Sequence, residues 1–393
     1  MANHLPGNRS LLKDMNRSLL LNTIRREGAL SRTQLMETSG LSGGAVSNIV
    51  NELLSERWIL PAGEGDYTGG RRQTPLRLNP QAGYAVGIKL MEDRMVSAIT
   101  DFQATILHAH EHHFSYDDDP QRIAMRISQV LQEDIARSGV DAARLLGVGI
   151  GLAGIVDAQS GVVRHSPFFG WQDVSLAALV AARSRRPVFV ENDVNTLTLT
   201  EQLFGAGRHQ KNFVVITVGR GIGMGMVING QLYHGSRGGA GEFGHIVLLS
   251  PTDEERTLEE SASDPAVLAT LNAQRTAGAA YATIDEVAAA ASAGDPAAQA
   301  ALAQSGALLG KATANVINVF VPDLLIISGE GVAAGPYRLD AMERALREHA
   351  FAHLLDDVQI LIRETGDQDW ARGAAGLVLS KAFVSPVIQS DGL

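Results

Sequence analysis

Glu242 and His245 stand three residues apart in GGAGEFGHIVL, behind a run of glycines. A carboxylate and an imidazole at that spacing can grip a polar molecule. The carboxylate accepts pairs of hydroxyl protons in charge-assisted bonds, and the imidazole donates or accepts. A histidine near acidic residues can also hold a metal, but the chain has no cysteine and few obvious co-ligands here. A second cluster, HAHEHHF, sets His108, His110 and His112 on one face of a strand. That pattern suits a transition metal, yet exposed edge strands also carry such polar residues. No metal and no cofactor is assigned from the sequence.

A different chemistry stands near the N-terminus. Leu12, Met15, Leu19, Leu20 and Ile24 recur at helical spacing up to Gly28, a helix stop. In LSRTQL, Ser31 and Gln34 form a capping box, and Leu30 and Leu35 occupy staple positions. Gly40 suits a turn at positive φ, and Ser42 caps a further helix whose buried stripe is Val46, Ile49, Val50, Leu53 and Leu54. Gly43, Gly44, Ser47, Asn48 and Asn51 then face outward. The following segment reads as a β-hairpin tipped by Gly69-Gly70-Arg71-Arg72. Two short helices around a tight turn, followed by a wing with arginines, match a DNA-reading winged helix-turn-helix. Arg71 and Arg72 would meet phosphate or a narrow minor groove, and Ser47, Asn48 and Asn51 would face the DNA. Asn48 can pair with adenine, whereas Gly43 and Gly44 offer nothing to base edges. The bland alternative is a small protein–protein module with a charged loop.

Charge agrees with the first reading. Residues 1–80 hold 10 Lys and Arg against 7 Asp and Glu, a formal +3, and the remainder carries −13. A basic head on an acidic body points to nucleic acid for the head alone. The 393 residues suffice for two or three domains. No run of about 18 apolar residues could span a bilayer. The absence of cysteine excludes disulfides and thiolate zinc sites and fits a cytoplasmic protein.

From Tyr84 onward, strand-like runs alternate with helical ones. YAVGIKL, MVSAITDF and ATILHAHEHHF read as strands, 120–138 as a helix, and LLGVGIGLAG and RPVFVEND as strands ending in glycine or polar residues, where α/β ligand sites gather. NFVVITVGRGIGMGMVINGQL and DLLIISGEG open a second such set, closed by a helix near the C-terminus. Two βββαβα halves facing a cleft would account for the pattern.

LSRTQLMETSGLSGGAVSNIVNELLSERWI, TGGRRQTPLRLNP, VENDVNTLTLTEQLFGAG, TVGRGIGMGMVINGQLYHGSRGGAGEFGHIVL and LEESAS together resemble the ROK family of repressors, open reading frames and sugar kinases, in family order over nearly the whole chain. The head resembles that of the family's glucose, N-acetylglucosamine and xylose repressors. The resemblance implies an α/β fold: a winged helix-turn-helix over residues 1–80 and a two-lobed, actin-like, sugar-kinase-like body over 81–393. Lobe one would span about 81–192 plus a closing helix at 370–385, and lobe two about 193–369. It also implies a sugar held by Asn192 and Asp193 of END, Glu242 and His245 of GEFGH, and Glu259 of LE. Singly, each has a structural alternative: Glu242 can cap a strand, and Asp193 can merely cap the helix after it. Gly151 and Gly154 would let backbone approach the ring, and Trp171 is either core or a stacking platform.

Within that resemblance the chain departs from the kinases. They keep a base where Asp193 stands and carry Asp-Ile-Gly-Gly-Thr after the first strand, where this chain has Lys89-Leu90-Met91-Glu92-Asp93. Met91 replaces a glycine of the phosphate cradle, and Glu92 and Asp93 place negative charge near the anion. Two unit charges about 4 Å apart at an effective dielectric near 20 repel by about 4 kcal/mol. Arg220 stands where kinases have threonine, a weaker departure because it can attract phosphate. The family's zinc site needs three cysteines that are missing. Asp253, Glu254 and Glu255 are hard oxygen donors, poor replacements for thiolates. The expected function is a sugar-responsive transcriptional regulator, a repressor and not an enzyme. Its expected partners are operator DNA and a monosaccharide or derivative, with no membrane, and it should form a homodimer or higher homo-oligomer. The alternative is a ROK-type sugar kinase with an added regulatory head.

Overall fold

The computed structural model describes residues 9–63, 73–117, 119–248, 255–275 and 279–384. The chain divides into two compact units, Met1–His209 with Trp370–Leu393, and Gln210–Asp369. The first opens with α1 (Arg9–Glu27), α2 (Arg32–Ser39) and α3 (Gly43–Ser55), then β1 (Ile59–Pro61) and β2 (Leu76–Leu78), an antiparallel pair. Short-range chemistry sets these boundaries. Ser31 accepts from the Gln34 N–H, and the Gln34 side chain returns to the Ser31 N–H at 2.9 Å, a reciprocal cap. Gly40 closes α2 at φ 71°, and Ser42 caps α3. On α3, Val46, Ile49, Val50 and Leu53 are buried, with Leu54 half-buried. On α1 burial is confined to the C-terminal half: Leu20, Leu21 and Ile24 are buried, whereas Leu12 and Leu19 of the expected stripe are exposed. The hairpin tip, with Arg71 and Arg72, lies outside the described residues.

There follow β3 (Tyr84–Leu90), β4 (Arg94–Thr100), β5 (Ile106–His113), α4 (Pro120–Ser138), β6 (Leu145–Leu152), β7 (Ile155–Asp157), β8 (Val162–Ser166), β9 (Trp171–Val174), α5 (Leu176–Ser184), β10 (Val188–Asn192) and α6 (Asp193–Phe204). Five of the strands form a sheet in the order β10-β6-β3-β4-β5, parallel at β10, β6 and β3 and antiparallel beyond. The separate sheet β7-β8-β9 is an insertion that the alternating pattern did not announce. Trp171 on β9 is buried and stacks on Phe169 at 4.5 Å, a core role.

The second unit holds β11 (Phe213–Val218), β12 (Ile222–Ile228), β13 (Gln231–Leu232), β14 (Val247–Leu248), β15 (Arg256–Thr257), α7 (Leu258–Ala262), α8 (Asp264–Gln274), α9 (Ile284–Ser292), α10 (Pro296–Phe320), β16 (Leu324–Ser328), α11 (Pro336–His349) and β17 (Gln359–Ile362). Its sheet runs β13-β12-β11-β16-β17. Arg338 of α11 is fully buried and bonds Asp264 Oδ1 at 2.5 Å and the Gly331 carbonyl at 3.0 Å. Among the described residues, no helix is long and apolar enough to cross a membrane.

The last helix, α12 (Asp367–Phe383), returns to the first unit from Trp370 onward. It lies directly on the sheet: a Cβ at Gly87 would fall 1.9 Å from the Ala371 carbonyl oxygen, and one at Gly149 1.9 Å from that of Ala374. Its far end enters the core of the three N-terminal helices. There Ala375, Val378, Leu379 and Phe383 pack in one cluster with Leu20, Ile24, Val50, Leu53 and Phe102. Asn22 Nδ2 donates to the Phe383 carbonyl at 2.6 Å. Arg25, pushed down to about 10 chiefly by burial, lies 5.3 Å over the Phe383 ring.

Two expected boundaries therefore move. Helices α1–α3 and strands β1 and β2 share one core with α12 and Phe102, so packing does not break at residue 80. The units part after His209, not at 192/193. The reason is that α6 packs against α12: Thr200 Oγ1 donates to the Gly373 carbonyl at 3.2 Å.

Gly149→Ala is expected to destabilise the protein by about 1–3 kcal/mol, because backbone must yield to the new methyl. Gly44→Ala, with nothing within 4 Å on an exposed helix face, should cost nothing. Urea midpoints of the two variants test this; equal midpoints would mean that α12 does not rest on the strand.

Candidate functional site

In the first unit, β10 delivers Asn192 and Asp193 to the start of α6. Asn192 is largely spent on structure: its Oδ1 accepts from the Asn195 N–H at 3.2 Å as the helix cap, and its Nδ2 donates to the Gly154 carbonyl at 3.1 Å. Asp193 Oδ1 accepts from the Val194 N–H at 2.9 Å, and Oδ2 is ion-paired with Lys89 Nζ. Both side chains of that pair are nearly buried, 12% and 10% exposed. The Lys89 ammonium also sits 4.6 Å from the centre of the Trp370 ring, over its face. Neither Lys89 nor Trp370 was a candidate from the sequence. Nothing local links them to Asp193, although a lysine in place of the kinases' aspartate was a signal to seek a carboxylate partner. Gly151 and Gly154 serve the protein's own packing. A Cβ on Gly151 would meet Thr196 and Asp193, and one on Gly154, at φ 132°, would lie 2.2 Å from the His165 carbonyl oxygen.

After β3 the chain turns at once into β4, with the Met91 N–H donating to the Arg94 carbonyl at 2.9 Å. The Met91 backbone donor is thus held within the hairpin.

In the second unit, Gly241 sets the entry to the GEFGH segment. Its φ is 93°, and a Cβ there would fall 1.9 Å from the Met224 carbonyl oxygen, so only glycine fits. Phe243 is buried and anchors a single 3₁₀ turn, Phe243–His245. Glu242 and His245 remain exposed to solvent, with Oε2 and Nε2 3.8 Å apart. Glu259 comes from the first turn of α7, capped by Thr257. Its Oε2 accepts from the Ile222 N–H at 2.7 Å and would meet a Cβ on Gly244 at 3.1 Å. Glu242, His245 and Glu259 thus share one neighbourhood. Beside them, the Thr257 N–H and hydroxyl hold the Glu260 carboxyl below the usual carboxylate range. The second glycine loop is also occupied by carboxylate: Glu330 Oε1 accepts from the Arg220 N–H at 2.9 Å, and the Glu330 carboxyl fills the space over Gly219. Asp253 and Glu254 lie outside the described residues.

On the N-terminal helices, Asn48 and Asn51 are exposed and Ser47 is half-buried. Arg32, at the start of α2, bridges to the Ser47 carbonyl at 3.2 Å and to Asn51 Oδ1 at 2.8 Å. It adds a cation to that face which the sequence reading missed.

The ROK family model matches residues 85–381, and the chain belongs to this family. Along 97% of its length it is 26% identical to the xylose repressor of Caldicellulosiruptor bescii, covering 99% of that protein. It is 27% identical to the DNA-binding transcriptional dual regulator NagC of Escherichia coli (strain K12), covering 95% of this chain and 94% of that one. Among solved structures, a ROK family transcriptional regulator homologous to the E. coli MLC protein superposes on 96% of the chain and 98% of its own, with a TM-score of 0.81 at 24% identity. A ROK family glucokinase from Streptomyces griseus, in complex with glucose and AMPPNP, superposes on 75% of the chain and 99% of its own, with a TM-score of 0.62 at 26% identity.

Lys89→Met is expected to cost up to about 3–5 kcal/mol, since it strands a nearly buried carboxylate. Adding Asp193→Asn should recover part of that loss. Denaturant titration of both single variants and the double variant measures the coupling; strictly additive costs would mean that the pair contributes nothing.

Proposed function

We propose that the protein is a sugar-responsive transcriptional regulator, a repressor, that binds a monosaccharide or sugar derivative without phosphorylating it. The observation that carries this reading is the ion pair of Lys89 with Asp193. A general base must be free to take a proton from the sugar hydroxyl. Here that carboxylate is matched to a fixed ammonium. The carboxylates of Glu330 and Glu259 on the Arg220 and Ile222 N–H groups, and the tight turn after β3, point the same way: donors that would cradle phosphate are already used.

The sugar would be held by Asp193, Asn192, Glu242, His245 and Glu259, and operator DNA by Ser47, Asn48, Asn51, Arg71 and Arg72, with Arg32 added to that face. The three helices and the β1–β2 pair act in this reading as a winged helix-turn-helix. Two copies in a homo-oligomer would match a palindromic operator, in the cytoplasm. The relatives' names, xylose repressor and NagC among them, support regulation over catalysis. Communication follows from differential sugar affinity for two states. Helix α12 offers a route within one unit, with Trp370 on Lys89 at one end and Phe383 in the core of the DNA-facing helices at the other.

Incubation with ATP, Mg²⁺ and a panel of monosaccharides should yield no sugar phosphate above a blank. Sugar phosphate that disappears in Asp193→Ala would overturn the sensor reading. Glu242→Ala should weaken sugar binding by about 2–4 kcal/mol in isothermal titration, because a charged acceptor is lost and a hydroxyl stranded. In a gel-shift assay the same variant should still bind operator yet ignore the sugar. Wild-type sugar affinity would remove Glu242 from the site.

A further inference from the structure

The histidines of β5 meet a carboxylate that their sequence neighbourhood does not contain. Asp134 of α4 is completely buried, and its Oδ2 lies 3.0 Å from His112 Nε2. The same His112 nitrogen lies 3.1 Å from His110 Nδ1. Ser97 Oγ donates to Oδ2, while Oδ1 has no hydrogen-bond partner among the described residues and sits 3.5 Å from His108 Nε2. No lysine or arginine is ion-paired with this carboxylate among the described residues.

Protons alone satisfy this arrangement poorly. If His112 Nε2 carries a hydrogen toward Asp134, it has no lone pair for His110; if it accepts from His110, it faces the carboxylate without a hydrogen. A buried carboxylate without a cation is costly. An ion placed among the three atoms satisfies all of them at once. Tetrahedral ligands at about 2.0–2.1 Å from zinc stand about 3.3 Å from one another, close to the 3.0 and 3.1 Å found here. All three ligand atoms lie within 4.8 Å of one another.

We propose that His110, His112 and Asp134 form a site for a divalent transition ion of the zinc class, with His108 3.5 Å behind the carboxylate as an outer neighbour. Two imidazoles and one carboxylate suit zinc, cobalt or nickel better than calcium or magnesium. His110 is exposed, so the ion is reached from solvent and keeps a fourth position for water. The site joins edge strand β5 to α4, within the first unit.

The test uses full-length, tag-free protein stripped with chelator and titrated with Co²⁺, followed by its visible d–d absorption, and with Zn²⁺ by calorimetry. One equivalent should bind. His110→Ala, at an exposed position that leaves the fold intact by melting temperature, and His112→Ala should each weaken binding by more than about 100-fold. His108→Ala should weaken it by about 10- to 100-fold, as for an outer partner. No saturable binding, or undiminished binding in His110→Ala and His112→Ala, would overturn the site. So would a cobalt spectrum lost in His245→Ala but kept in His110→Ala.

Discussion

The first unit depends on one close approach, that of the α12 backbone to strands β3 and β6. It is possible only because Gly87 and Gly149 present no side chain, so that the Ala371 and Ala374 carbonyls rest where methyl groups would otherwise be. Small residues continue the contact on the other side, where a Cβ on Gly376 would fall 2.0 Å from Thr200 Oγ1 of α6. A helix seated this deeply cannot shift without shifting the sheet, since interiors are packed like crystals. It fixes Trp370 against Lys89 at one end and Phe383 against α1 at the other, about 20 Å away at 1.5 Å per residue.

In the function proposed above, electrostatics separate this chain from a phosphoryl-transfer enzyme of the same architecture. Such an enzyme keeps backbone N–H groups empty and a carboxylate unpaired until substrate arrives. Here the charges are already matched inside the protein. Lys89 neutralises Asp193, and Glu330 and Glu259 take the N–H groups of Arg220 and Ile222. Glu242 and His245 remain open to solvent, and in the proposed function they bind and discriminate, which is all that sensing requires.

Legibility in the sequence followed distance along the chain. The caps at Ser31 and Ser42, the left-handed Gly40 and the strands from Tyr84 onward are set by residues within a turn of one another, and they stand where the pattern put them. The glycines of GGAGEFGH were legible as glycines, but not as the device that keeps Met224 close to Gly241. Pairings across many residues were hidden. Lys89 finds Asp193 across 104 positions, and His112 finds Asp134 across 22. The unit boundary was misplaced for the same reason, because α6 belongs with a helix that begins more than 160 residues later. The exposure of Leu12 and Leu19 on α1 could not be read from periodicity, which gives the apolar face but not how much of it is covered.

The late position of α12 also has a consequence for how the protein is made. The three N-terminal helices and the first sheet emerge early, yet the helix that completes their common core begins some 170 residues after α6 begins. At synthesis rates of about 5–20 residues per second, they wait roughly ten seconds or more with Gly87, Gly149 and the apolar side chains of α1 uncovered. Folding of the first unit is therefore dominated by non-local contacts and must await the arrival of residue 383. A ribosome-bound fragment that lacks α12 therefore cannot present a finished N-terminal core. The same wait makes the nascent chain a natural client for chaperones that cover apolar surface.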